Sequence, residues 1–385
     1  MDTDKLLVID LSSTDPLERG RVYGEKAKAL IAEVVDHWRS DLGSFFSMNE
    51  NIAVVDVDAY LDKFISETNY IEAIRKWTPD LLDEVRGIAQ GSGQSFNTIY
   101  ALQLLDEEWL FGLRNRLGKP TSKCTAFGIL DNSAGLCFSG QNMDVPAWVE
   151  GRQVLLRIAA NETSPECLVF SIAGTIGVNG LNANGLGITC NTLTQLKYSL
   201  DGLPVLYIVR KILQQNSIEL AEKILLAIQH ASGQNYILSS KSRLRCYECS
   251  STSIVRYSPT EDGSRIFHTN HPLINDNENS LIQGDKRCYI NTKSRLDSIS
   301  GRLGDPSKSP ELSDIKAALA AHDDPDNPVS RVLAQCLQCN SIGYTAGASI
   351  YELGDTPRFH FASGPPCETE FRTFDFIAND EARGG

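Results

Sequence analysis

Cys124 opens a run of apolar residues directly after the polar loop RLGKPTS, and an amide and a carboxylate follow downstream at Asn142 and Asp144. The run CTAFGIL reads as a buried strand, Asp131-Asn132 as a turn, and GLCFSG as a second strand leading into Asn-x-Asp. Both side chains of that triplet share one strand face. A hairpin can therefore return the carboxylate beside the cysteine, a setting for thiol chemistry. Two plainer readings compete: a free cysteine is among the most buried residue types, and Asp144 can close the hairpin as an Asx-type turn. His268 and His271, in FHTNHP, invite a Cys–His dyad. Cys246-x-x-Cys249 and Cys336-x-x-Cys339 invite a four-cysteine zinc site. The first pair, however, falls in a strand-like run where positions i and i+3 point to opposite faces, and a long gap separates the pairs. The glycine-rich GVNGLNANGLG lacks both the Lys-Ser/Thr ending of a phosphate loop and the strand-to-helix setting of a dinucleotide site.

The elements that must position these groups change character at Cys124. Upstream, Asp15-Pro16-Leu17-Glu18 reads as a capped helix start. Leu30, Ile31, Val34, Val35, Trp38, Leu42 and Phe45 then recur at helical spacing, predicting one long helix into the forties. A second helical pattern runs from Asp56 to about Trp77, a third from Thr78-Pro79-Asp80 to Gly91-Ser92-Gly93, and a fourth through Ile99, Leu102, Leu105, Trp109 and Leu110. From Cys124 short β-rich runs separated by Gly, Asn and Ser turns take over. Helices return at Pro204–Gln214 and after an Asn216…Glu219 capping box, then strands through RIFHTN, a helix-prone region over 283–340, and two closing strands, ASIYEL and RFHFAS. Strands grouped between helices predict an α+β fold with a mostly antiparallel sheet core and no βαβ repeat. The loop Leu117–Lys123 is where composition and period shift together.

A chain of 385 residues can bury a substantial core, and its 42% hydrophobic and 22% charged residues are those of a globular protein. The net charge of −13 argues against nucleic acid and against an anionic membrane surface as partners. No apolar run reaches the length that spans a bilayer, and LLVI near the N-terminus is too short for a signal peptide. The expectation is a cytoplasmic protein whose ten cysteines stay reduced.

KCTAF followed by GQNMD resembles the isopenicillin-N acyltransferase family of N-terminal-nucleophile hydrolases, acyl-CoA:6-aminopenicillanic acid acyltransferases that also include β-alanyl-amine hydrolases. Choloylglycine and penicillin V amidases are more distant cousins. ERGRVYG (Glu18–Gly24) resembles the family's opening helix, DEVRGIAQGSG (Asp83–Gly93) its "E..GIA.G.G" segment, and GLNANGLGITCNTL (Gly180–Leu193) its "G.N..Gl....N" strand pair. GLPVLYIVRKIL, FHTNHP, HDDPDNPVSR and ASGPPCETEF resemble further blocks, in the family's order. The resemblance implies a four-layer αββα sandwich of two antiparallel sheets, with a mainly helical N-terminal segment packed on it.

It also implies roles. Self-cleavage between Lys123 and Cys124 would leave residues 1–123 and 124–385 as associated chains, with Cys124 carrying both thiol and α-amine. That amine, with a reference pKa of about 7.7–8.0, is poised to take the thiol proton, so no histidine is required. Asp144 orients the amine, Asn270 stabilises the oxyanion, and Arg331 supplies a fixed cation near the nucleophile. Asn191 resembles a pocket asparagine, Thr125 supports the cleavage geometry, and Asn142 is structural. Where the family has Gly before the cysteine this chain has Lys123, a departure that bears on the rate of processing. The implied reaction is amide acyl transfer through a thioester, without a cofactor. Water as acceptor makes the enzyme an amidohydrolase of small N-acyl or aminoacyl amines; an amine acceptor, with acyl-CoA as a donor, makes it an N-acyltransferase. A non-catalytic metal- or ligand-binding protein is the reading from outside catalysis, and association beyond the two chains stays open.

Overall fold

Alternation along the strand headed by Cys124 decides which layer each side chain enters. In the computed structural model, which describes residues 6–47, 56–114, 123–260, 263–278, 286–333 and 343–377, that strand is β2, Lys123–Asp131. Phe127 and Ile129 enter one apolar cluster with Ile299, Leu303, Ile315 and Leu319. Cys124, Ala126 and Leu130 point the other way, into the cluster between two sheets.

The element order explains the layering. A strand β1 (Leu7–Leu11) precedes helices α1 (Pro16–Lys26), α2 (Lys28–Ser47), α3 (Val57–Glu67), α4 (Tyr70–Trp77), α5 (Pro79–Ser92), α6 (Phe96–Leu102) and α7 (Leu105–Arg114). After β2 come β3 (Leu136–Pro146), β4 (Gln153–Ile158), β5 (Cys167–Ile172), β6 (Asn179–Asn182) and β7 (Gly187–Thr192). Helices α8 (Val205–Leu213) and α9 (Ile218–Ala227) lead to β8 (Gln234–Ser240), β9 (Arg243–Cys249), β10 (Ile254–Tyr257) and β11 (Arg265–His268). The chain continues through α10 (Lys286–Leu303), α11 (Leu312–Leu319), β12 (Gly343–Leu353), β13 (Arg358–Ala362) and β14 (Arg372–Phe374).

One sheet has the order β1-β4-β5-β6-β7-β8-β9-β10 and the other β11-β2-β3-β12-β13-β14. They pack face to face, α8 and α9 cover the outer face of the first, and α10 and α11 cover the second. This is the four-layer αββα sandwich of the α+β class, with one correction: edge strand β1 pairs parallel to β4. The apolar run LLVI supplies that strand.

The helical segment is keyed to the sheets by glycine and charge. Helices α1 and α5 touch backbone to backbone; a Cβ on Gly20 would lie 1.9 Å from the Glu84 carbonyl oxygen, and one on Gly87 2.1 Å from that of Leu17. Beneath this contact Glu84, fully buried, accepts from Arg19 Nε (2.9 Å) and from Arg210 Nη1 and Nη2 (2.9 and 3.0 Å). Arg210 also donates to the Ile176 carbonyl, so α1, α5, α8 and the loop before β6 share one ionic node.

Several helix boundaries differ from the sequence expectation. The first long helix breaks at Ala27 and the second at Thr68-Asn69. The fourth splits at Gln103, whose amide donates to the carbonyls of Ile99 and Gly174 and accepts from the Ile176 N–H, a tertiary contact that periodicity does not reveal. Asp15 caps α1 through Glu18 N (2.7 Å), but Glu18 turns its carboxylate to Arg21. The cap of α9 is Ser217, not Asn216. Parts of the helix-prone region, 283–285 and 334–340, and residues 117–122 of the cleavage loop lie outside the described residues.

Candidate active site

Strand pairing builds the site. β3 returns antiparallel to β2 with Thr125 opposite Asn142 and Lys123 opposite Asp144, so amide and carboxylate share a face as the hairpin reading expects. That face is the helix side, whereas the Cys124 side chain enters between the sheets. On the other flank of β2, β11 ends at His268 opposite Ala126, which carries the next residues, Thr269 and Asn270, alongside Cys124.

The outcome is a tight cluster around the Cys124 main chain. Its backbone N–H donates to Asn270 Oδ1 at 2.5 Å. Arg295, on α10 and fully buried, donates from Nη2 to the same oxygen (3.0 Å) and from Nη1 to Thr125 Oγ1 (2.9 Å) and to the Cys124 carbonyl. Asn270 Nδ2 donates to the Thr192 carbonyl (3.1 Å), which fixes the orientation of the amide. Asn270 is thus beside the nucleophile, with its oxygen toward Cys124 N.

Asp144 Oδ1 accepts from Thr345 Oγ1 (2.6 Å), and Thr345 Oγ1 in turn accepts from the Arg331 N–H (2.9 Å). Arg331 is buried near Arg295; its Nη1 has no hydrogen-bond partner among the described residues. Burial pulls the Arg295 guanidinium down to about 10, Asp144 opposes this, and Arg331 adds to it. Asn142 Nδ2 donates to the carbonyls of Leu319 and Val329 (2.9 and 3.0 Å), tying β3 to the end of α11. Asn191 is not brought in. It lies between Cys190 and Thr192, which line the nucleophile's cavity, points to the other face, and accepts from Asn235 Nδ2 (3.0 Å).

The Cys124 sulfur sits in a cavity of about 50 Å³ and donates to Met143 Sδ at 3.3 Å. Strands β6 and β7 pair only at Gly180–Ile188 and Leu181–Gly187, and the Cys190 N–H beyond that pairing, beside the cavity, is taken by Gln141 Oε1 (2.7 Å). Burial pushes the Cys124 thiol up to about 12, the Asp144 charge adds to this, and the Asp144 backbone N–H opposes it. No histidine lines the cavity among the described residues. His268 is engaged by Glu248 and the Thr269 carbonyl, and His271 Nδ1 by Thr269 and Thr292, so both brace the loop that carries Asn270. A larger cleft of about 420 Å³, with Arg19, Arg210 and Lys211 on its wall, shares no residue with the cavity at Cys124.

Cys246 and Cys249 are both buried in β9; the Cys246 thiol meets Asn235 Oδ1 at 2.9 Å. Cys336 and Cys339 lie outside the described residues. No group of three or more metal-binding side chains occurs among the described residues, and none of their helices is long and apolar enough to cross a membrane.

Sequence reasoning passed over Arg295, Thr345, Met143 and Asp106. For Arg295 a signal existed: it falls four and eight residues before Ile299 and Leu303, on the buried stripe of α10, where a cation is out of place.

A family model described as acyl-coenzyme A:6-aminopenicillanic acid acyl-transferase matches residues 132–357, a span that starts just after Cys124 and includes Asp144, Asn270, Arg295 and Arg331. No curated protein matches the sequence. Among solved structures, the Caenorhabditis elegans ortholog of N-acylethanolamine-hydrolyzing acid amidase is similar at 12% identity and TM-score 0.41, over 59% of this chain and 92% of that one. A variant of the conjugated bile acid hydrolase of Clostridium perfringens is similar at 14% and 0.44, over 66% and 97%. Penicillin V acylase of Agrobacterium tumefaciens is similar at 14% and 0.38, over 66% and 86%.

Proposed function

Because the chain belongs to the acyl-coenzyme A:6-aminopenicillanic acid acyl-transferase family, enzymes acting on carbon–nitrogen bonds of linear amides, we propose that it is a self-processing cysteine amidohydrolase with Cys124 as nucleophile. One observation carries the reading: the thiol is buried, pushed up to about 12, and has no histidine beside it among the described residues, while its own nitrogen is gripped by Asn270. Such a sulfur needs a base, and the nearest candidate is the nitrogen of the same residue.

Processing supplies it. Cys124 Sγ adds to the Lys123 carbonyl carbon, the C–N bond breaks with the proton passing to nitrogen, and water hydrolyses the thioester. The products are a Lys123 carboxylate and a Cys124 with free thiol and free α-amine. In turnover that amine takes the thiol proton, the sulfur attacks a substrate amide, and the proton passes to the leaving amine. Asn270 Oδ1 holds one amine hydrogen so that the nitrogen lone pair meets the thiol. The Nδ2 hydrogen not used by Thr192 is assigned to the oxyanion, a contact worth roughly 10²–10³ in rate. Asp144 balances the positive charge of the amine and of Arg295, Arg331 supplies a fixed cation for the negative charge that develops near the nucleophile, and Thr125 anchors Arg295. Residues 1–123 stay bound, held in part by Glu84 to Arg210. Water resolves the thioester; transfer to an amine, with acyl-CoA as donor, is the second outcome of the same intermediate.

A denaturing gel with N-terminal sequencing of the purified protein tests this. Two bands are expected, one beginning Cys-Thr-Ala-Phe, together with labelling of that fragment by p-nitrophenyl butanoate. Loss of both in Cys124→Ala supports the assignment. A fully active enzyme with an unbroken chain would overturn it.

A further inference from the structure

A buried carboxylate holds the loop that carries Asn270. Glu248 stands near the end of β9, in the sheet that does not contain β11, and no solvent reaches its side chain. Its Oε1 accepts from His268 Nε2 at 2.8 Å and from the Leu273 N–H at 2.6 Å. Its Oε2 accepts from the N–H groups of Ile274 (3.1 Å) and Asn275 (2.7 Å). Asn275 Nδ2 in turn donates to the Glu248 carbonyl at 2.9 Å. One oxygen thus clamps both ends of the segment 268–273, and Asn270 lies inside it.

The loop is built around a charge. Burial raises the Glu248 pKa, but the bonds from His268, Leu273 and Asn275 outweigh it and hold the carboxyl below its ordinary value. A buried charge is tolerated when its oxygens are fully bonded, and here three consecutive backbone N–H groups turn inward to bond it. Asn270 is then aimed by single contacts from other elements. Its N–H donates to Thr292 Oγ1 (2.7 Å), its carbonyl accepts from Gln195 Nε2 (3.2 Å), and its Nδ2 meets the Thr192 carbonyl. Those contacts orient the amide; the carboxylate sets where the backbone beneath it lies. Residues 268–275 supply no part of the wall of the cavity at Cys124.

Resting on the proposed amidohydrolase reading, we infer that Glu248 is a positioning residue of the acyl-transfer step: by clamping segment 268–273 it holds the Asn270 amide against the Cys124 nitrogen and the developing oxyanion. Glu248 touches no substrate. Its effect falls on the rate of attack and not on binding, because the clamped segment lies outside the cavity wall. Glutamine cannot replace it. Each carboxylate oxygen accepts two donors, so either orientation of an amide turns its NH₂ toward other donors. A misplacement of about 1 Å in a catalytic group can cost 10²-fold.

The experiment is a double-mutant cycle read as Cys124 acylation by p-nitrophenyl butanoate, per mole of chain beginning Cys-Thr-Ala-Phe. Glu248→Gln should lower the saturating acylation rate by roughly 10²-fold and leave the half-saturating ester concentration within a few-fold of wild type. Asn270→Ala should lower the same rate, and adding Glu248→Gln to it should cost no more than a few-fold further. Where processing is slow, the same cycle is read from the rate at which the full-length band disappears. A wild-type rate in Glu248→Gln, a loss carried by the half-saturating concentration, or an equal fractional loss in both backgrounds overturns the inference. His268→Leu opens the clamp at one end and leaves the three N–H bonds in place, so it gives the same cycle if Glu248→Gln does not fold. Acylation of wild type with additive losses sinks only the role of Glu248. A wild type that the ester does not acylate at Cys124 sinks the amidohydrolase reading, and this inference with it.

Discussion

Asn270 Oδ1 lies 2.5 Å from the backbone nitrogen of Cys124, so the residue proposed to stabilise the oxyanion also holds the nitrogen proposed as the base. Two substitutions separate these functions. Asn270→Ala removes both and should lower kcat by roughly 10²–10³. Asn270→Asp keeps the acceptor and loses the Nδ2 donor. It should hold the amine more firmly as ammonium, moving the acid limb of the kcat/KM–pH profile upward. Wild-type kcat in both variants would refute both assignments.

Arg295 is fully buried; its two terminal nitrogens meet three acceptors on three different residues, and Nε meets a fourth, Asn291 Oδ1. Arg295→Lys retains the charge but cannot span them. Leaving buried acceptors unmet costs about 1–3 kcal/mol each, so the denaturant midpoint should fall with unchanged m. Processing should slow in parallel, read as persistence of the full-length band. A midpoint equal to wild type would show that the three contacts are dispensable.

Two buried carboxyls on α7 should each lower stability as pH rises above 4.5. Glu107 is pushed up to about 8 and Glu108 to about 7, both by burial first, from the ordinary 4.5 of the unfolded chain. A raised folded value means that the native state holds protons the unfolded state has released. Each group therefore lowers stability by roughly 1.4 kcal/mol per pH unit between 4.5 and its folded value. Glu107→Gln should flatten that slope and raise the denaturant midpoint at pH 8 relative to wild type. Equal slopes in the two proteins would contradict it.

The node at Glu84 predicts how the two chains left by the proposed processing would hold together. Replacing Glu84 by Gln leaves Arg19 and Arg210 buried without their counter-charge, a loss of about 3–5 kcal/mol for a buried pair of this kind. Processed wild type should elute from a sizing column as one species containing both fragments. The Glu84→Gln protein should release the helical fragment at lower denaturant. Release at the same concentration as wild type would mean that the node does not tie the chains.

The hairpin from Cys124 to Asp144 was legible because strand alternation and turn chemistry are local. The change from helix to sheet was legible because the hydrophobic period itself changes. Asn270 was reachable only through resemblance, since its place beside Cys124 depends on β11 pairing with β2 across a long loop. Asn191 was carried over by motif, and the pleat turned it away from the cavity. Arg295 was missed because it lies far along the chain from Cys124; the cation on the apolar stripe of α10 marks it, but only the packing of α10 on β2 shows what it serves. The break at Gln103 was hidden for the same reason.

The cavity wall is stitched from both sides of position 123: Leu105, Asp106 and Trp109 upstream, Cys124, Met143 and Cys190 downstream. The two stretches close one wall around the sulfur, so a downstream fragment prepared alone would carry the thiol with the α7 side of its cavity missing.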